Sequence, residues 1–168
     1  MPRMILMRHA KSSWGGPALD DFDRPLNKRG RASARAMGDW LRGNSYLPDA
    51  VLCSAATRTR ETLAGLGLSS DVDVQFSRDL YHAQPQAILR HLNKATAECI
   101  LLIGHNPGIA DAAHQLLRTP PKHPRFDDYP TCATLVADFD VTSWADVSWS
   151  RGAAVDFAIP REVIGEED

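Results

Sequence analysis

Met4-Ile5-Leu6-Met7-Arg8-His9-Ala10-Lys11-Ser12 is the stretch from which the fold reads outward. Its first four residues are an unbroken apolar run, the pattern of a strand buried on both faces, as strands of parallel sheets are. The run breaks on a basic pair, Arg8-His9, followed by small and hydroxyl residues. The polar stretch to Leu26 contains Gly15, Gly16, Pro17 and Pro25 and reads as a loop. Asn27 is placed to cap a helix running to about Arg42, with Ala32, Ala36, Met37, Trp40 and Leu41 on one face and Gly43 as its stop.

The same unit recurs along the chain. Residues 50–53 read as a second strand, and Ser54 or Thr57 caps a helix that ends near Gly65 and Gly67. Residues 72–76 alternate apolar and polar side chains, as a half-buried edge strand would. Pro85 suits the first turn of a third helix, with Ile88, Leu89 and Leu92 inward. Residues 99–103 are again continuously apolar, and Ile109, Ala112, Ala113, Leu116 and Leu117 form a helical stripe. Residues 118–130 hold four prolines and read as a long surface loop. Residues 131–139 and 153–159 read as two paired final strands. Strands alternating with helices predict an α/β three-layer sandwich, a mostly parallel central sheet flanked by helices. The organisation expected is one domain over residues 1–161 and a frayed acidic tail over 162–168.

Composition narrows the classes of function. A chain of 168 residues fits one domain, and it buries about 70% of its unfolded surface on folding. The formal net charge of -2 argues against a nucleic-acid binder held by bulk charge. No window approaches the roughly 20 apolar residues of a membrane span, and the N-terminal apolar run is too short for a signal peptide. A cytoplasmic protein with no membrane and no nucleic-acid partner is therefore expected. Cys53, Cys99 and Cys132 are widely spaced and form no C-x-x-C pair, so they read as reduced core thiols.

Ligands of parallel sheets bind beyond the carboxyl ends of the strands. Two predicted strands end in a histidine at that edge, His9 and His105. Arg8 can grip two phosphate oxygens at once, and Ser12 with the neighbouring backbone can donate to an anion. In Ser54-x-x-x-Arg58-x-x-x-Thr62, Arg58 falls in the first turn of a helix, where a cation opposes the helix dipole unless it points toward an anion. Gly104-His105-Asn106-Pro107-Gly108 places His105 near another helix N-terminus, where anions are favoured. The histidine pair lacks a third ligand at metal-binding spacing, so no metal and no cofactor are expected. Asp23-Arg24 reads as a loop ion pair, and His82, His91, His114 and His123 as surface or helix-face residues.

Taken together, Arg8-His9, Ser54-x-x-x-Arg58-x-x-x-Thr62 and Gly104-His105-Asn106-Pro107 resemble the signature of the histidine phosphatase superfamily, the phosphoglycerate mutase-like family. The short length and the Arg-His-Ala-Lys-Ser-Ser-Trp opening are most similar to the small SixA-type phosphohistidine phosphatases. The resemblance implies a phosphatase with His9 as nucleophile and with Arg8, Arg58 and His105 binding the phosphoryl group, beside Ser12 and Asn106. Ala10 stands where the family usually has glycine. Tyr81 stands near where many members carry a glutamate general acid, which leaves Tyr81, Asp20, Asp21 and Asp23 as candidates for that role. Four residues between Phe76 and Tyr81, and one helix before Cys99, leave no room for a cap domain. An open site suits a phosphorylated protein. A small phosphorylated metabolite, or phosphate binding without turnover, is the alternative.

Overall fold

The computed structural model describes residues 1–14 and 16–165. A single six-stranded sheet runs through it: β1 (Arg3–Arg8), β2 (Ala50–Ser54), β3 (Asp73–Ser77), β4 (Cys99–Gly104), β5 (Thr134–Phe139) and β6 (Gly152–Ala158), in the order β3-β2-β4-β1-β5-β6. The pairs β2·β3, β2·β4 and β1·β4 are parallel, while β5 is antiparallel to both β1 and β6. Among the described residues there are five α-helices: α1 (Lys28–Gly43), α2 (Thr57–Leu66), α3 (Pro85–Asn93), α4 (Gly108–Leu116) and α5 (Pro160–Ile164). No helix among the described residues is long and apolar enough to cross a membrane.

Strand periodicity divides the core into two layers, because successive side chains point to opposite faces. Met4, Leu6, Ile100, Leu102 and Leu135 pack on the side of Ile88, Leu92, Ile109 and Leu116 from α3 and α4. Ile5, Met7, Leu101, Ile103 and Val136 pack on the other side, with Met37 and Leu41 of α1 and Leu66 of α2. The continuous apolar runs of β1 and β4 are thus the signature of a sheet covered on both faces.

Several expectations need correction. The inward face of α1 is Gly30, Ala34, Met37, Gly38 and Leu41, turned from the one predicted. Hydrophobicity alone ranked Ala32, Ala36 and Trp40 above the glycines, yet the glycines allow close approach: a Cβ on Gly30 would lie 2.0 Å from the Lys11 carbonyl oxygen. The N-cap of α2 is Ala56, without a side-chain cap, rather than Ser54 or Thr57. β3 is exposed along most of its length because it is the sheet edge, and Phe76 is covered by the Arg60 guanidinium 3.9 Å from its ring centroid. The proline-rich segment 118–130 is not wholly superficial. It buries Phe126 and Tyr129, and the Tyr129 hydroxyl donates to the Leu6 carbonyl at 2.5 Å. Glu162, Val163 and Ile164, expected in a frayed tail, belong to α5. Residues 166–168 lie outside the described residues.

Candidate active site

The parallel register sets β1 and β4 level, Arg8 opposite Gly104, so His9 and His105 leave the sheet at the same edge. β2 ends beside them at Ser54 and feeds α2, whose second residue is Arg58. The His9 and His105 ring centroids are 5.3 Å apart. His9 Nδ1 lies 2.7 Å from the Ala10 carbonyl oxygen. A carbonyl only accepts, so Nδ1 carries the proton and Nε2 keeps its lone pair. The Ala10 N–H donates to Thr62 Oγ1 at 2.9 Å, and the Thr62 hydroxyl donates to the Arg58 carbonyl at 2.7 Å. Thus α2 holds the loop that orients His9. Ser54 Oγ lies 2.8 Å from His105 Nε2.

Burial decides the protonation state of both rings. His9 is pushed down to about 3, chiefly by desolvation and then by Arg8 and Arg58, against the opposing pull of the Ala10 carbonyl. His105 is pushed down to about 2 by the same burial, with His9 and Arg58 adding repulsion. Both rings are therefore neutral near pH 7. Three buried side-chain nitrogens find no hydrogen-bond partner within the described protein: Arg8 Nε, Arg58 Nε and His105 Nδ1. Buried polar atoms are seldom left unpaired, and these three belong to one site. The arginine nitrogens are donors, and so is His105 Nδ1 when Nε2 accepts from Ser54.

Asp21 organises the opposite wall. Its Oδ2 accepts from Tyr81 Oη at 2.5 Å and from Arg58 Nη2 at 3.0 Å, and lies 3.1 Å from His82 Nε2. Its Oδ1 accepts from Arg24 Nη1 at 2.8 Å, and its carbonyl accepts from Arg58 Nη1 at 2.6 Å. The Tyr81 hydrogen bond, helped by Arg24, His82 and Arg58, holds the Asp21 carboxyl well below the usual carboxylate range. Desolvation and the bond to Asp21 push the Tyr81 phenol up. Of the candidate acids, Asp21 lines the site's cavity of about 330 Å³; Tyr81 does not line it but borders the site through its bond to Asp21 and its ring 5.3 Å from that of His105, while Asp20 and Asp23 do not line it.

The remaining sequence candidates divide. Ser12 lines the cavity, and its Oγ accepts from Arg24 Nη2 at 2.6 Å. Asn106 lines it too, but both of its amide hydrogens go to the Asp128 and Tyr129 carbonyls and its oxygen accepts from the Ala110 N–H. Its side chain braces a loop, with both amide hydrogens already engaged. Arg24 pairs with Asp21 rather than Asp23, because the short helical turn Asp21–Asp23 sets residues three apart side by side. The arginine also lies over Trp14, 4.2 Å from its ring centroid. His82 is exposed, as expected, and it also lies beside the site, with its ring 5.1 Å from that of His105. Its position directly after Tyr81 was the available signal. His114 and His123 instead pair with Asp127 and Glu162 away from the site. Among the described residues, no group of three His, Cys, Asp or Glu side chains is arranged to hold a metal ion.

Two neutral histidines beside the Arg8 and Arg58 guanidiniums, at the carboxyl edge of the parallel strands, fit a protein that handles phosphoryl groups. Residues 4–84 match the model of the histidine phosphatase superfamily (branch 1). An uncharacterized protein of Mycobacterium tuberculosis is 35% identical over 162 residues, which cover 92% of this chain and all of that one. A Nakamurella multipartitia structure, assigned as phosphohistidine phosphatase SixA, is 31% identical with a TM-score of 0.80, covering 95% of this chain and 96% of that one. One from Agrobacterium tumefaciens, also assigned as SixA, is 27% identical with a TM-score of 0.78, covering 95% and 99%. This chain belongs to the histidine phosphatase superfamily and is of the SixA type.

Proposed function

We propose that this phosphatase hydrolyses protein phosphohistidine through a phosphohistidine intermediate on His9. The observation that carries the reading is the set of three partnerless buried nitrogens, Arg8 Nε, Arg58 Nε and His105 Nδ1, around a histidine whose Nδ1 is tied to a carbonyl. Phosphoryl transfer needs positioning and charge stabilisation above all, and these groups supply both without a metal. In the first step His9 Nε2 bonds to phosphorus as the bond from phosphorus to the substrate's ring nitrogen breaks. The substrate imidazole leaves neutral, because a proton already sits on its other nitrogen. In the second step water adds to phosphorus, the bond to His9 Nε2 breaks, and inorganic phosphate departs.

The candidate acids support a phosphoramidate substrate over an alkyl ester. An alkoxide leaves poorly unless protonated, yet Asp21 is held ionised and Tyr81 holds its proton more tightly than a free phenol. An ionised Asp21 instead complements a cationic phosphoimidazole ring. The open site supports a protein substrate: α3 is the one helix between Tyr81 and Cys99, and Trp14 stands 83% exposed at the rim. Such surfaces suit the cytoplasmic partners of a phosphorelay.

Brief incubation with labelled phosphohistidine peptide is expected to leave an acid-labile, base-stable label on His9, and His9→Ala should lose turnover. Activity should survive EDTA and fall with vanadate. Label on a serine, or loss in EDTA reversed by zinc or magnesium, would sink the reading. Equal rates on phosphoserine and phosphohistidine would point to a metabolite ester, and binding of phosphate without turnover to a non-catalytic module.

A further inference from the structure

The three partnerless nitrogens, Arg8 Nε, Arg58 Nε and His105 Nδ1, mark the buried end of the catalytic cavity as the seat of a phosphoryl group. Whatever carries that group lies outward of it, among the exposed lining residues Lys11, Trp14, Asp21 and His82. Among the described residues that line the cavity, Trp14 is the one large apolar side chain.

A single exposed apolar residue is ordinary on a protein surface. Trp14 differs because its ring is held. The Arg24 guanidinium lies over it, 4.2 Å from the ring centroid. Arg24 is itself fixed on three sides: Nε donates to the Ser13 carbonyl at 3.0 Å, Nη1 to Asp21 Oδ1 at 2.8 Å and Nη2 to Ser12 Oγ at 2.6 Å. One face of the indole thus rests on a braced plate, and at 83% exposure the rest of the ring is open to solvent. A surface positioned in advance loses little freedom when a ligand covers it.

The chemistry of that surface selects its occupant. A phosphohistidine carries its phosphoryl group on a flat ring, and the ring is cationic in the form that leaves neutral. Tryptophan offers the best aromatic face for a cation, and flat rings stack on it with an offset. The charge of Arg24 sits on the far face of the indole and is paired with the Asp21 carboxylate, so it opposes an incoming cation only weakly.

We propose that Trp14 selects phosphohistidine by its ring: the open indole face stacks on the substrate's phosphoimidazole while Arg24 holds the indole in place. This rests on the protein phosphohistidine reading above and adds what recognises the leaving group. The substrate ring loses its charge as its bond to phosphorus breaks, so the contact is stronger before the reaction than after it. It therefore acts on KM more than on kcat, and it does not retain the product.

The test uses the full-length chain and two substrates, a phosphohistidine peptide and phosphoramidate, which has the nitrogen–phosphorus bond without the ring. Trp14→Ala should lower kcat/KM for the peptide about tenfold, mostly through KM, and the loss on phosphoramidate should be about fivefold smaller. Trp14→Phe, which keeps an aromatic face, should restore most of the difference. Trp14 is exposed, so its removal opens no cavity in the core, and melting should shift little. In His9→Ala, which lacks the nucleophile, the same peptide should quench tryptophan fluorescence. Adding Trp14→Phe to that variant should abolish the quenching while Trp40, Trp144 and Trp149 still emit. Equal losses on the two substrates would assign Trp14 to bracing Arg24 alone and overturn the proposal, as would full activity of Trp14→Ala on the peptide. Quenching with no turnover of the peptide by the unsubstituted chain would sustain the stacking and reject the substrate. Turnover with no quenching would reject the stacking and leave the substrate standing.

Discussion

At the residue scale, the chemistry begins with where one proton sits. The Ala10 carbonyl fixes the proton of His9 on Nδ1, and burial among guanidiniums keeps the ring from taking a second one. A free histidine would be partly protonated at pH 6.5, and its cationic form has no lone pair to attack phosphorus. With its value pushed down from 6.5 to about 3, His9 remains a nucleophile well into acid. The same shift couples to stability. The unfolded chain binds the proton first as pH falls, so the folded state loses stability between about 6.5 and about 3 and keeps all of this contribution above 6.5. His105, pushed down to about 2, acts in the same direction. NMR titration of the anion-free protein should therefore find no protonation of His9 or His105 near pH 6.5, and vanadate should raise both values by adding negative charge. A midpoint at 6.5 for either ring would mean that the site is wetter than its packing indicates.

At the element scale, α2 links the nucleophile to the arginine that faces it. Thr62 accepts from the Ala10 N–H and donates to the Arg58 carbonyl, so one hydroxyl joins the β1 loop to the helix. Thr62→Val keeps the shape but leaves a buried N–H unpaired, which costs about 1–3 kcal/mol. For a chain of this size that is a fall in Tm of roughly 2–4 °C per kcal/mol. kcat should fall as well, because the Ala10 peptide also presents the carbonyl that orients His9. Unchanged melting and unchanged kcat would show that the hydroxyl carries neither role. The elements were legible in sequence where burial on two faces leaves continuous apolar runs, as in β1 and β4, and where Asn27 caps α1 by accepting from the Gly30 N–H. The inward face of α1 was not, because contact at Gly30 and Gly38 is a matter of backbone approach and glycine has no hydrophobic signal to read. The positions of His9, Arg8, Arg58 and His105 were legible because strand ends and a helix start fix them. Asp21 could not be ranked above Asp20 and Asp23, because its partners Tyr81 and His82 lie 60 and 61 residues away in sequence.

At the scale of the whole molecule, an uncapped sheet edge and a site in which Asp21 and Tyr81, among the described residues, are both poorly suited to give up a proton point to one property, a dependence on the leaving group. The Asp21 carboxylate is committed to Arg58, Arg24, Tyr81 and His82, and the tyrosine's proton is held by that carboxylate. An effective general acid contributes about 10²–10⁴-fold, or about 2.7–5.4 kcal/mol at 1.36 kcal/mol per decade. Without one, that gap should separate phosphoserine from aryl phosphates and phosphoramidates, and phosphohistidine should escape it because its ring carries the needed proton. A series of aryl phosphates of graded leaving-group pKa should give a steep decline in rate. Tyr81→Phe should change phosphohistidine turnover little. Asp21→Asn should slow phosphohistidine at least tenfold, since it removes both the charge complementary to the leaving ring and an anchor of Arg58. The decisive comparison is the selectivity of that loss. Should Asp21→Asn slow phosphoserine a hundredfold while sparing phosphohistidine, Asp21 delivers a proton after all, and the case for a phosphoramidate over a metabolite ester fails with it.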